Sequence, residues 1–179
     1  MNRIHDLIDK GWRARRESHH ADAERIVLEA IETSRQSGSR IQLIHALKGL
    51  AHVVRDVGHD ERALTLYQEA VTLAREEGDV LLLAHTVRHL GDLHRDGDRL
   101  HEANRCYSEA VSLYRTAVSP PALDFANALR PAALMREHDG DEVGARQLWS
   151  EAKTLYRAAG VQPGVDECSR HLARLDWQR

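Results

Sequence analysis

The sequence predicts an all-α fold, an α-solenoid of helix-turn-helix repeats. Three observations predict it. A Glu-Ala pair returns at 29/30, 69/70, 109/110 and 151/152, in steps of 40, 40 and 42 residues, and a fixed period of this size marks stacked repeats. Apolar residues recur at i, i+3, i+4 and i+7, the spacing of one helix face, while alternation at strand spacing is absent. Proline is scarce, 4 residues of 179, and two of the four are adjacent. A chain of this length bounds a single domain. Its repeats span about 1–38, 41–78, 81–119 and 121–160, with a capping helix at about 163–178.

The first repeat is the faintest, with Leu7, Gly11 and Ala14 on one helix and Ala23, Val27 and Ala30 on the next. In the second, a helix over 41–57 puts Leu47, Leu50, Ala51 and Val54 on one side. Gly58-His59-Asp60 makes the turn, with Asp60 as N-cap of a helix over 61–77 that buries Ala63, Tyr67 and Ala70. The third repeat carries Val87, Leu90, Gly91 and His94, then Ala103, Tyr107 and Ala110. Gly38, Gly78 and Gly160 follow three of the second helices, where a residue free to take positive φ ends a helix. The third repeat instead ends in Ser119-Pro120-Pro121, read as an N-cap serine with proline at the next position. The fourth has Leu129, Ala132, Ala133 and Arg136, then Ala145, Trp149 and Ala152, and its Pro131 predicts a kink or irregular turn around Leu129. A last helix over 165–177, with Leu172, Ala173 and Leu175, covers the apolar end of the stack.

These residues resemble the tetratricopeptide repeat family. Small residues allow close helix approach, and Tyr67, Tyr107 and Trp149 fill the gaps between pairs. The units exceed the family's usual length of about 34 residues, which makes the chain similar to the long-repeat, kinesin-light-chain-like variants. Arg35, Arg75 and Arg115 stand where the family has a proline. The resemblance implies a right-handed superhelix with first helices on the concave face. It implies a non-enzymatic scaffold for protein-protein interaction, holding a peptide or partner protein in that groove. Arginine fills 22 of the 25 basic positions and lysine three, a GC-rich coding bias that goes with a bacterial source.

At 100° per residue, His45, Lys48, His52 and Arg55 face away from the apolar side of their helix. The same offset gives His85, Arg88, Asp92 and Arg95 in the third repeat, with His89 beside them. It gives His5, Ile8, Trp12 and Arg15 in the first, and Asn127, Arg130, Leu134 and Glu137 in the fourth. The candidate partner-binding residues are therefore His45, Lys48, His52, Arg55, His85, Arg88, His89, Asp92, Arg95, Asn127, Arg130 and Trp12. Such a face suits an acidic peptide, because guanidinium pairs bidentately with carboxylate. The other reading is a solvated face whose arginines are neutralised by Asp56, Asp92 and Asp96. Some family members clamp a terminal carboxylate with Lys and Asn, and Lys48 and Asn127 resemble those residues. Titration of His5, His45, His52, His85 and His89 would strengthen anion binding as pH falls through about 6.5.

Two further readings stay open. One is an architectural module, related to repeat regions of bacterial regulators, that homodimerises through Ile4, Ile8 and Trp12. The other is a metal bound by His85 and His89, an i,i+4 pair, with Asp92 or His52 as a third ligand. There is no phosphate loop, cofactor fingerprint or catalytic motif, so the expectation is no enzyme activity and no cofactor. A formal net charge of -3 argues against nucleic acid. No apolar run is long enough to span a membrane, and Met1-Asn-Arg-Ile-His-Asp lacks a signal pattern, which predicts a cytoplasmic protein. Cys106 and Cys168 form no motif and read as reduced core thiols.

Overall fold

A computed structural model describes residues 3–177; Met1, Asn2 and residues 178–179, which the predicted first repeat and cap include in part, lie outside the described residues. Among the described residues the chain forms nine helices and no strand. They are α1 (Arg3–Arg16), α2 (His20–Ser37), α3 (Arg40–Asp56), α4 (Asp60–Glu77), α5 (Val80–Asp96), α6 (Leu100–Thr116), α7 (Ala122–His138), α8 (Glu142–Ala158) and α9 (Gln162–Trp177). Each helix packs on the next in sequence, and α1 also touches α3 as α5 touches α7, which stacks the pairs into an α-solenoid. None of these helices is long and apolar enough to cross a membrane.

The second helix of each pair buries the same positions: Ala23, Val27 and Ala30, then Ala63, Tyr67 and Ala70, then Ala103, Tyr107 and Ala110, then Ala145, Trp149 and Ala152. Spacings of four and three residues put them on one face. The large aromatics Tyr67, Tyr107 and Trp149 are the bulk of the core, and the alanines let the neighbouring helix come close. Gly38, Gly78 and Gly160 end the flanking turns with φ of 68°, 77° and 71°, as their positions predict.

Three local expectations change. Asp60 does not cap α4; His59 takes the cap position without a side-chain hydrogen bond, and Asp60 is the first helical residue, where its charge complements the helix N-terminus. Ser119 does not cap α7. It sits at φ 53°, and Pro121 holds the cap position because Pro120, preceding another proline, is kept out of the helical region. No irregular turn forms at Leu129, since α7 runs unbroken through a buried Pro131. Buried Ala128, Leu129, Ala132 and Ala133 hold the helix on both sides, and their packing offsets a local penalty of about 3 kcal/mol.

The outer surface carries a ladder that the period alone did not suggest. Arg35 pairs with Glu69 at 2.9 Å, Arg75 with Glu109, and Arg115 with Glu151 at 2.6 Å. Each arginine reaches from the end of one second helix to the repeated Glu-Ala pair of the next.

Close approach limits the contact between α5 and α6. A methyl on Gly91 would sit 2.8 Å from Tyr107 Cε1 and 3.1 Å from Cys106 Cβ, whereas one on Gly49 would meet nothing nearer than 3.7 Å. The Tyr107 ring is fully buried and cannot swing aside. Gly91→Ala is therefore expected to lose about 1–3 kcal/mol of stability, while Gly49→Ala is neutral or gains up to about 1 kcal/mol from helix propensity. Urea unfolding of the two variants checks this; equal behaviour would show that the α5–α6 contact is not limiting.

Candidate partner-binding groove

The face shared by α1, α3, α5 and α7 holds two adjoining concavities. The first, of about 570 Å³, is lined by Trp12, His45, Lys48, His52, His85 and His89, together with Leu81, Leu82 and Asp124. The second, of about 310 Å³, is lined by His52, Arg55, Arg88, His89, Asp92, Arg95, Asn127 and Arg130, together with Asp96 and Pro131. His52 and His89 belong to both. The twelve residues singled out from the helical offset thus come together on one face. Leu81, Leu82 and Asp124 were missed, although Leu81 lies one turn before His85 on the same helix face.

The core aromatics reach this floor. Tyr67 Oη lies 2.8 Å from His52 Nε2, and Tyr107 Oη donates to Asp92 Oδ1 at 3.0 Å. Both contacts join residues 15 apart, so the register repeats with the helix pair. Trp149 Nε1 likewise donates to Glu137 Oε1 at 2.7 Å. The ring at the centre of each of these pairs therefore orients a polar side chain on the groove. Burial pushes both tyrosine hydroxyls up, so they stay protonated.

The arginines are paired within the chain. Arg15 grips Asp56 with bonds of 2.6 and 3.0 Å, Arg88 donates to Asp92 at 3.1 Å, and Arg95 to Asp96 at 2.8 Å. Arg55 lies 3.9 Å from Asp96, and Arg130 grips Glu167 of α9 through two bonds of 2.8 Å. These pairs favour the neutralised face over a strongly cationic one for the arginines. Lys48 differs. It is buried, makes no ion pair among the described residues, and has His85 Nδ1 as its hydrogen-bond partner at 2.9 Å. Desolvation first, and Arg88 second, bring its amine down to about 8, against the pull of Asp124.

The histidines do not behave as a switch near neutrality. Burial, helped by neighbouring cations, lowers His52 to about 3 and His85 to about 2, and lowers His89 despite Asp92. His45, at the rim, is lowered by desolvation and then by Lys48. Protonation of these four is disfavoured, so the expected strengthening of anion binding as pH falls does not follow from them.

Neither the clamp nor the dimer surface assembles as anticipated. Lys48 and Asn127 line different concavities, and Asn127 Oδ1 accepts a hydrogen bond from Tyr156 Oη at 2.9 Å. Ile4 and Ile8 are buried inside the chain, while Trp12 is half-buried with its ring 5.2 Å from that of His52 and the Arg15 guanidinium 5.3 Å from its centre. The His85 and His89 rings lie 4.6 Å apart, and His89 Nδ1 is 3.3 Å from Asp92. Among the described residues, however, no three such side chains form a group that could hold a metal ion. The Lys48 ammonium against His85 opposes a second cation there.

The profile of the family described as anaphase-promoting complex subunit 5 matches residues 14–56 and 46–97. No curated protein matches the chain. Among solved structures, a kinesin light chain protein with TPR-like repeats from Podosopora anserina aligns at 12% identity and a TM-score of 0.69, over 98% of this chain and 96% of that one. Aspartyl phosphate phosphatase F from Bacillus subtilis aligns at 16% identity and a TM-score of 0.83, over 94% of this chain and 45% of that one. The apo form of RapI aligns at 11% identity and a TM-score of 0.76, over 88% and 57%. These likenesses establish the fold.

The lowered histidines also govern stability. Because His52 and His85 are depressed in the fold, the unfolded chain takes up protons first as pH drops below about 6.5, and stability is lost from there down towards pH 3. Each is expected to contribute a loss of about 1 kcal/mol between pH 7.5 and 5.5. Urea unfolding at the two pH values measures it, and a His52→Gln/His85→Gln variant should show a flatter profile. An unchanged slope in the variant would place the acid sensitivity elsewhere.

Proposed function

Since the chain is a tetratricopeptide-like helical repeat protein, we propose that it is a non-enzymatic interaction scaffold that holds a peptide or a segment of a partner protein along the first-helix groove. One observation carries this reading: the larger concavity sets an apolar wall of Trp12, Leu81 and Leu82 beside Lys48, a buried cation with no carboxylate ion-paired to it among the described residues. A wall of that kind takes a large apolar side chain, and a desolvated cation takes a carboxylate. The fitting segment therefore carries an acidic group next to a bulky apolar one. The paired arginines shape the groove more than they attract charge. Two free cysteines suit a reducing compartment, and we place the protein in the cytoplasm on that ground.

A peptide-display screen against the whole chain tests the reading. Enrichment of segments pairing Asp or Glu with an aromatic or branched residue is expected. Lys48→Ala or Trp12→Ala should weaken a selected peptide at least tenfold, about 1.4 kcal/mol, while Arg115→Ala on the outer ladder leaves it unchanged. Absence of enrichment, or equal loss in all three variants, would remove the groove from consideration.

A further inference from the structure

We infer that Lys48 is a nucleophilic amine that captures an aldehyde of aromatic or branched apolar character as a reversible imine in the larger groove concavity. This goes beyond the scaffold reading and does not depend on it.

The placement of the side chain carries the inference. Lys48 is one of three lysines in a chain that has 22 arginines, and a guanidinium cannot serve as an amine nucleophile. Lys48 is 6% exposed yet lines a concavity of about 570 Å³, ample for a small organic molecule. Among the described residues no carboxylate lies in ion-pair contact with it. His85 Nδ1, 2.9 Å away, is an acceptor in a neutral ring whose own protonation is strongly disfavoured. Trp12, Leu81 and Leu82 supply the wall for an apolar body.

The charged and titratable groups around the amine reinforce this. On α3 these are His45 and His52, on α5 His85, Arg88 and His89, and on α7 Asp124. Desolvation and the Arg88 cation destabilise a buried ammonium; Asp124 acts the other way and is the weaker influence. A desolvated lysine beside another cation is the recognised arrangement for an activated amine.

The chemistry balances without a co-reactant. The neutral amine nitrogen adds to the aldehyde carbon, the carbonyl electron pair moves to oxygen, and a proton passes from nitrogen to that oxygen through water. The carbinolamine then loses the hydroxyl as water and forms the carbon–nitrogen double bond. Nothing is oxidised or reduced, and water reverses the step.

Treating the intact chain with benzaldehyde at pH 7.5, trapping with cyanoborohydride and mapping the benzylated lysines by peptide mass spectrometry tests it. Lys48 is expected to label at least tenfold faster than Lys10 or Lys153. The Lys48 rate should level off above about pH 8, and His85→Asn should slow it several-fold in protein that unfolds with an unchanged urea slope. Labelling of the three lysines at equal rates, or no product at Lys48, overturns the inference. The two readings separate cleanly: labelling at Lys48 with no selected peptide leaves the imine site standing alone, and a selected peptide with no labelling at Lys48 leaves the scaffold standing alone.

Discussion

The structure depends on close approach between the two helices of a pair, where a small residue on one meets a buried side chain on the other: Gly11 meets Val27, and Gly91 meets the Tyr107 ring. Where Gly91 meets Tyr107 the two helices are as close as a missing methyl permits. Interiors pack at crystal-like density and tolerate neither a void nor an extra methyl at such a point.

The rings connect core to surface. Tyr67 and Tyr107 bury their aromatic bodies and present hydroxyls to His52 and Asp92 on the groove. A packing residue thereby helps set the orientation of a groove side chain. With Asp92 fixed from below, it receives Arg88 and His89 from its own helix. On the opposite surface the Arg–Glu ladder links consecutive second helices. Exposed pairs of this kind contribute little each, but they bond register n only to register n+1 and so favour one stacking.

Charge in the groove is arranged by the same tertiary contacts. Five arginines that the helical offset places on the groove each find a carboxylate, three of them on a neighbouring first helix or on α9: Arg15 with Asp56, Arg55 with Asp96, Arg130 with Glu167. Lys48 is left among neutral rings. The groove is consequently less cationic than its composition implies and carries one desolvated amine where charge and reactivity concentrate.

The repeat, the helix pairs and the face carrying Trp12, Lys48, His52, Arg88 and Arg130 were legible in the sequence, because helical periodicity and a 40-residue period depend only on spacing along the chain. Local signals misled where neighbours intervened: Pro131 continues a helix that packing holds, and Ser119 yields the cap to Pro121. The sequence by itself determined the architecture and which side chains share a face. Only the tertiary structure decided the partners that lie across helices and the state of the histidines: that Arg15, Arg55 and Arg130 pair with Asp56, Asp96 and Glu167, that His52 and His85 stay uncharged, that Lys48 and Asn127 occupy separate concavities, and that Ile4 and Ile8 turn inward. Those contacts join residues 37 to 41 positions apart, such as Lys48 to His85 at 37 and Arg15 to Asp56 at 41, which no pattern within one helix encodes, whereas Arg88 with Asp92 and Arg95 with Asp96 lie within one helix.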